Sequence, residues 1–268
     1  MRLKLSLQCA PQSRLHFNHR HALRAVIYHI IERADAEYSD WLHNRGFMAT
    51  GKKNFKLFSF DLLRGQPYRT DVQRSHLVFE SGRVEWTVSF YIDDQLTKFV
   101  EGLFQHQVFE VVAVDTKVRF QVQSVQILET PLFTETMRFR AETGICLTEK
   151  TESDRYEQFR SPADAHYKQL FLNSLAAKVQ AATGEAPPVQ KESFGQYLEE
   201  NVDLKILNQP KMWSTSEPQK GSDKWIKTIG WKYDFALTAP VEWLRIGFYS
   251  GFGKLSSGGF GFVLALKS

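Results

Sequence analysis

Residues 247–263, near the C-terminal end of the sequence, contain residue types that can bind an anion. The run holds six glycines, and glycine lets backbone amides approach a ligand closely and adopt positive φ angles. Successive amides in such a loop can form an anion-binding concavity. Lys254 would add a positive charge, and Ser256 and Ser257 would add hydroxyl donors. The run therefore predicts a phosphate-binding loop, with a flexible hairpin followed by a strand as the alternative.

This run matches none of three standard glycine motifs. A Walker P-loop requires glycine and serine or threonine at positions that here hold Phe248 and Leu255. The dinucleotide-binding pattern fails because Ser256 stands where its third glycine should be. The RNP1 pattern of RNA-recognition motifs fits residues 259–263 in part, but it belongs to the third of four strands. Only five residues follow Val263, so this position excludes a standard RNA-recognition motif.

Histidines could supply acid–base chemistry, because the imidazole pKa lies near neutrality. Position favours His43, which follows a predicted helix break and precedes Gly46. Tyr28 lies fifteen residues earlier, about 22 Å away if both were on one unbroken helix. A shared site thus requires the helix to end between Ala34 and Tyr38. The other histidines are His16, His19, His21, His29, His76, His106 and His166.

The predicted elements around these residues repeat one order. Alternating residues 2–8 predict a strand, and apolar spacing over 21–34 predicts a helix. A cap at Ser39 or Asp40 would start a second, short helix ending at Gly46. The order strand–helix–strand–strand–helix–strand is ferredoxin-like. We predict strands at 55–60, 77–79, 84–92, 108–114, 117–128, 137–146, 204–207, 225–237 and 260–266, and helices at 93–105, 161–182 and 241–248.

These elements predict an α+β fold of two tandem ferredoxin-like (RRM-like) βαββαβ domains, with a C-terminal glycine-rich loop. The predicted domains are residues 1–115 and 116–268. The length of 268 residues with 43% hydrophobic and 24% charged residues suits such a globular protein. Two cysteines without a CxxC motif predict neither a disulfide scaffold nor a cysteine zinc site. Without a signal segment or a long apolar run, the expectation is a cytoplasmic protein with no membrane partner.

Charge is distributed unevenly along the chain. Residues 1–70 carry 12 Lys and Arg against 5 Asp and Glu, and residues 201–268 carry 9 against 5. Residues 71–200 carry 13 against 20. If the fold brings both ends together, they form a basic face that attracts phosphates. Solvated surface cations are the alternative.

The segment GFGKLSSGGFGFV at 251–263 resembles the C-terminal glycine-rich loop of the CRISPR-associated endoribonucleases of the Cas-six family. That family belongs to a repeat-associated superfamily with ferredoxin-like folds. Further family motifs are matched in the expected order over nearly the whole chain. These segments are Ile27 and Tyr28, and residues 42–46, 55–60, 156–178, 202–211 and 225–237.

This resemblance implies metal-independent cleavage of the CRISPR repeat, with no cofactor. The ribose 2′-OH attacks the adjacent phosphorus and leaves a 2′,3′-cyclic phosphate and a 5′-OH. The reaction needs a base, an acid and a cation. The matched motifs imply His43 and Tyr28 as catalytic residues, with Lys52 or Lys53 as the cation. His19, His21 and His29 on the first helix are alternatives.

Repeat RNA within precursor CRISPR RNA is the expected partner, and a CRISPR effector complex or a homodimer is compatible with the sequence. Trp213, Trp225 and Trp231 could stack on bases, with core packing as the alternative for Trp231. A non-catalytic CRISPR RNA-binding subunit and a module unrelated to RNA are the competing hypotheses. The predicted RNA contacts are Arg20, Arg24, Lys53, Lys205, Lys211, Lys227, Lys232, Arg245, Gly251, Gly253, Lys254, Ser256, Ser257, Gly259 and Gly261.

Overall fold

The computed structural model describes residues 1–49, 53–152, 154–185, 194–218 and 225–267. None of the helices in these ranges is both long enough and apolar enough to cross a membrane. The helices are α1 (Arg20–Ala34), α2 (Ala36–Asn44), α3 (Asp93–Gln105), α4 (Tyr167–Thr183), α5 (Phe194–Asn201) and α6 (Val241–Ser250). The strands are β1 (Arg2–Gln8), β2 (Ser13–His16), β3 (Phe47–Met48), β4 (Asn54–Phe55), β5 (Phe58–Phe60), β6 (Arg64–Gly65), β7 (Tyr68–Asp71), β8 (His76–Phe79), β9 (Arg83–Phe90), β10 (Val108–Ala113), β11 (Thr116–Ile127), β12 (Thr136–Ala141), β13 (Thr148–Glu149), β14 (Gln158–Phe159), β15 (Asp203–Ile206), β16 (Lys211–Pro218), β17 (Trp225–Lys232), β18 (Asp234–Thr238) and β19 (Val263–Ala265).

The chain forms two compact units, and each is assembled from separate segments. The first unit comprises Met1–Asn44, Phe60–Thr130 and Ser216–Ile226, and the second comprises Arg45–Ser59, Pro131–Thr215 and Lys227–Ser268. The chain therefore leaves the first unit directly after α2 and returns to it at Phe60.

The first unit contains a ferredoxin-like motif built from β1, α1, β9, α3 and β11, completed by β5, of which Phe60 belongs to this unit. Its strands are adjacent in the order β11-β1-β9-β5, and β10 is added at the outer edge of β11. Leu3, Leu5 and Leu7 of β1 are buried, as their alternation predicts. Helices α1 and α3 pack against each other.

The predicted domain boundary after residue 115 differs from the structure. We predict 108–114 as the closing strand of the first domain, but β11 closes the sheet instead. It pairs with β1 from Leu3 opposite Ile127 to Gln8 opposite Gln121, and the first unit continues to Thr130. Strands β10 and β11 form a hairpin of similar alternation, so the sequence pattern does not distinguish the closing strand from an added edge strand.

The second unit repeats the motif with β12, α4, β15, β18, α6 and β19. The strands are adjacent in the order β15-β18-β12-β19, and the core is rich in phenylalanine. Phe171 of α4 stacks on Phe252, with ring centroids 5.5 Å apart. The single strand predicted over 225–237 is two strands: β17 pairs with β16, and β18 lies in the sheet. Likewise, 137–146 is strand only as far as Ala141.

Gly102 of α3 determines how closely α1 and α3 approach. A Cβ atom at this position would lie 1.7 Å from the carbonyl oxygen of Ile30 on α1. We expect Gly102→Ala to lower the free energy of unfolding by about 2 kcal/mol, because overpacking outweighs alanine's better helix propensity. Chemical denaturation measures the change. Gly195→Ala in α5 is the matched control, since no atom of the described part of the chain lies within 4 Å of its Cβ position. Equal stabilities of the two variants would contradict this explanation.

Candidate active site and glycine-rich cleft

A sharp break between α1 and α2 brings two distant residues together. Helix α1 ends at Ala34, Asp35 is extended, and α2 begins at Ala36. Asp35 accepts a hydrogen bond from the amide of Tyr38 at 2.8 Å and one from Lys98 at 2.7 Å. These donors hold the pKa of the Asp35 carboxyl below its usual range, the Lys98 ammonium being the larger cause. Asp35 therefore caps α2.

The predicted cap at Ser39 or Asp40 is wrong, although the predicted break is confirmed. Both residues lie inside α2. The Ser39 hydroxyl donates to the carbonyl oxygen of Tyr28 at 3.1 Å, which links the second helix back to the first. Asp40 instead accepts a hydrogen bond from the side chain of Asn44 at 2.7 Å.

Tyr28 and His43 meet across this break. Their ring centroids lie 5.0 Å apart and the ring planes are nearly perpendicular, at 83°. Burial raises the pKa of Tyr28 to about 12, so its phenol stays protonated at neutral pH and acts as a hydrogen-bond donor. His43 is exposed, and its Nδ1 lies 3.3 Å from the side-chain oxygen of Asn44. The pair thus combines an accessible imidazole with a protonated phenol.

These two rings line a cleft of about 280 Å³ within the first unit. His29 lines the same cleft and lies 3.0 Å from Glu32. Of the other histidines proposed on the first helix, His21 accepts a hydrogen bond from Arg24 at 2.7 Å. His19 lies just before α1 and is buried. Burial lowers its pKa to about 4, so its imidazole is neutral at neutral pH. His29 is therefore the alternative that shares the cleft.

A second cleft, of about 500 Å³, lies within the second unit beside the glycine-rich run. We call it the glycine-rich cleft. Lys53 and Lys56 line it from one side, α4 contributes Asn173, Ser174 and Lys178, and the glycine-rich run contributes residues 253–257. Lys52, the other predicted catalytic lysine, lies outside the described residues. Sequence reasoning did not select Lys56, whose pKa is lowered by burial.

The glycines of this run serve close packing of the chain on itself. A Cβ at Gly261 would lie 1.8 Å from the carbonyl oxygen of Phe252, and one at Gly253 would lie 2.7 Å from that of Cys146. A Cβ at Gly251 would lie 2.8 Å from the side chain of Ser256 and 3.0 Å from that of Ser59. All of these glycines have positive φ angles.

The backbone amides of two glycines predicted to contact RNA donate hydrogen bonds within the protein instead. The amide of Gly259 donates to Ser256 at 3.0 Å, and that of Gly261 donates to Gly144 at 3.0 Å. These amides are consequently engaged within the protein and not available to a phosphate. Ser256 and Ser257 line the cleft, and their contact with RNA stays a prediction.

The predicted basic contacts differ in their surroundings. Lys254 donates to Thr148 at 2.5 Å and lies 3.1 Å from Glu157, so its charge is already paired. Arg20 is only 2% exposed, so it is not accessible to a phosphate at the surface. Arg245 lies 3.7 Å from Glu242. Lys205, Lys211 and Lys227 are exposed, and Lys232 and Arg24 are partly exposed.

Of the three tryptophans predicted to stack on bases, Trp225 is exposed. Trp213 packs edge-on against Phe260 at 5.1 Å, with Lys232 lying 5.4 Å from its ring centre. The backbone of Trp231 exchanges hydrogen bonds with that of Ile145. Trp225 is thus the tryptophan whose exposure best suits stacking on a base.

Two family models cover nearly the whole chain. Residues 14–126 match the model described as CRISPR-associated protein Cas6, N-terminal, and residues 128–264 match CRISPR associated protein Cas6, C-terminal. A curated relative, CRISPR-associated endoribonuclease Cas6 1 of Methanocaldococcus jannaschii, is 22% identical over 268 residues. The match covers 100% of this chain and 93% of the relative.

Solved structures show the same fold. The product of a Cas6-related gene from Pyrococcus furiosus is similar with a TM-score of 0.79 and 16% identity, covering 100% of this chain and 99% of that one. A Thermus thermophilus Cas6 product complex is similar with a TM-score of 0.66 and 15% identity, covering 99% and 100%. Both likenesses extend across the two ferredoxin-like units.

Proposed function

The chain belongs to the Cas6 family of CRISPR-associated proteins, and on that premise we propose that it is an endoribonuclease that cleaves precursor CRISPR RNA in the repeat. The observation that carries this proposal is the Tyr28–His43 pair, whose ring centroids are 5.0 Å apart in an open cleft. The curated relative is named an endoribonuclease, and a similar structure is a product complex. Both names agree with RNA cleavage.

The proposed reaction uses the ribose 2′-OH as nucleophile, and the protein moves protons. The His43 imidazole removes the 2′-OH proton as the bond from the 2′-oxygen to phosphorus forms. The Tyr28 phenol gives its proton to the 5′-oxygen as the bond from phosphorus to that oxygen breaks. The imidazolium then returns a proton to the phenolate, which restores both groups. The products carry a 2′,3′-cyclic phosphate and a 5′-OH.

The raised pKa of Tyr28 supports the role of acid over that of base. A phenol with a pKa of about 12 is protonated at neutral pH, whereas a tyrosinate base would have to form against its buried surroundings. A cation would stabilise the charge on the phosphorane. We propose Lys52 or Lys53 for that role.

Repeat RNA with a labelled 5′ end tests this function directly. We expect the purified protein to cleave it at one position in EDTA, because the nucleophile belongs to the RNA. The matched substrate carries a 2′-deoxyribose at the scissile position and should bind equally well without being cleaved. Cleavage of the deoxy substrate, or cleavage that stops in EDTA, would overturn the mechanism. Tight binding of normal repeat RNA without cleavage would instead identify a non-catalytic RNA-binding protein.

A further inference from the structure

Lys178 of α4 is a fully buried lysine, with 2% of its surface exposed. Its ammonium donates to the carbonyl oxygen of Gly251 and to the hydroxyl of Ser256 at 3.0 Å, and it lies 3.5 Å from the carbonyl oxygen of Ser250. All three partners belong to the glycine-rich run. A lysine ammonium has three donors, so its hydrogen-bonding capacity matches these partners.

The charge of Lys178, in contrast, is not neutralised by any residue that the structure describes. Among the described residues, its hydrogen-bond partners are two carbonyls and one hydroxyl, and none is a carboxylate. Lys254, which lines the same cleft, has Glu157 beside it. Buried charges are normally paired, and burial lowers the pKa of Lys178 to about 7 because the charged form is disfavoured there. An anion near this ammonium would offset that cost.

Ser256 can link the buried ammonium to an anion through hydrogen bonds. Its hydroxyl oxygen accepts the hydrogen bond from Lys178, so the hydroxyl proton is free to be donated to another group. Both Lys178 and Ser256 line the glycine-rich cleft, together with Lys53 and Lys56. A phosphate in the cleft could therefore accept a hydrogen bond from the Ser256 hydroxyl, and the Lys56 ammonium lines the same cleft.

We propose that Lys178 is a positioning residue for RNA binding: it holds Gly251 and Ser256 in place and directs the Ser256 hydroxyl towards a backbone phosphate in the cleft. This inference rests on the proposed RNA-processing function. The phosphate supplies a counter-charge that none of the described partners of Lys178 provides. Lys178 acts through Ser256 and takes no part in the proton transfers at Tyr28 and His43.

The test compares Lys178→Met with Lys168→Met, a change at an exposed lysine on the same helix that pairs with Asp203. Affinity for the uncleavable deoxy repeat RNA is measured by fluorescence anisotropy at constant ionic strength. We expect at least about tenfold weaker binding for Lys178→Met, because a hydrogen bond to a charged group is lost, and no change for Lys168→Met. The cleavage rate at saturating protein should change less than about threefold, since the chemistry is untouched.

A thermal readout separates positioning from a merely structural role. Lys178→Met leaves three buried acceptors without their donor, so its melting temperature in chloride is expected to fall, and each variant is compared with its own value in chloride. Inorganic phosphate should raise the melting temperature of the wild type relative to chloride at equal ionic strength by more than that of Lys178→Met, which keeps only the general stabilising effect of phosphate. Wild-type RNA affinity or a wild-type phosphate effect in this variant would overturn the proposal.

A second variant keeps the proposal testable if Lys178→Met does not fold. Ser256→Ala retains the buried ammonium and removes only the hydroxyl. We expect it to weaken RNA binding about threefold or more and to show a smaller phosphate-dependent shift than the wild type, and wild-type values for both would overturn the proposal. A wild-type protein that binds RNA and responds to phosphate without cleaving would refute the proposed enzymatic function while leaving the role of Lys178 standing.

Discussion

Replacing His43 by alanine is expected to lower the rate of repeat cleavage by about 10²–10⁴-fold and to leave RNA affinity nearly unchanged. The imidazole is the group proposed to take the 2′-OH proton, and Tyr28 remains protonated and so does not replace it as a base. His43 is exposed on the last turn of α2, so its removal should cost little stability. Single-turnover cleavage at saturating protein, with anisotropy for affinity, measures both quantities.

Two further histidine variants make this result interpretable. His106→Ala is the control, because His106 is exposed in the same unit and lies outside the Tyr28–His43 cleft. His29→Ala tests the competing base, since His29 lines that cleft. If the His43→Ala protein cleaves at the wild-type rate and His29→Ala does not, the catalytic assignment moves to His29.

Gly261→Ala is expected to lower the free energy of unfolding by about 3 kcal/mol. Two effects add: the backbone there is left-handed, with φ at +66°, and a Cβ would lie 1.8 Å from the carbonyl oxygen of Phe252. The two residues are also held together by a hydrogen bond from the amide of Phe252 to the carbonyl oxygen of Gly261 at 2.9 Å. Chemical denaturation gives the size of the loss.

Gly184→Ala separates the two effects. Gly184 has a similar φ angle of +71°, but no described residue lies within 4 Å of its Cβ position. This variant should lose only the conformational part, about 1 kcal/mol. Equal losses in the two variants would mean that the close approach of Gly261 to Phe252 contributes nothing.

Local patterns in the sequence predicted much of the scaffold. The buried face of α1, which includes Leu23, Ile27 and Ile30, follows from helical spacing, and the alternation of β1 follows from strand spacing. The helix break between Tyr28 and His43 also followed from the requirement that both residues share a site. The cap at Asp35 is also a local signal, since Asp35 accepts a hydrogen bond from the Tyr38 amide, and only its pairing with Lys98 is distant in sequence.

Strand pairing over long sequence distances and the surroundings of buried groups could not be predicted from local sequence patterns. Which of β10 and β11 pairs with β1 depends on register across the chain, and alternation is the same in both. The glycines indicated an anion site by composition, yet several serve close backbone packing. Lys178 belongs to a matched family motif, but only the folded structure shows that its ammonium lies beneath the glycine-rich run.

The interleaving of the two units has a practical consequence for dissecting the protein. A single cut between Thr130 and Pro131 would leave the first fragment carrying Arg45–Ser59, which belongs to the second unit, and without Ser216–Ile226. The second fragment would lack Lys53 and Lys56 and hence one wall of the glycine-rich cleft. The proposed binding and catalytic roles are therefore better separated by point substitutions than by expressing either fragment alone.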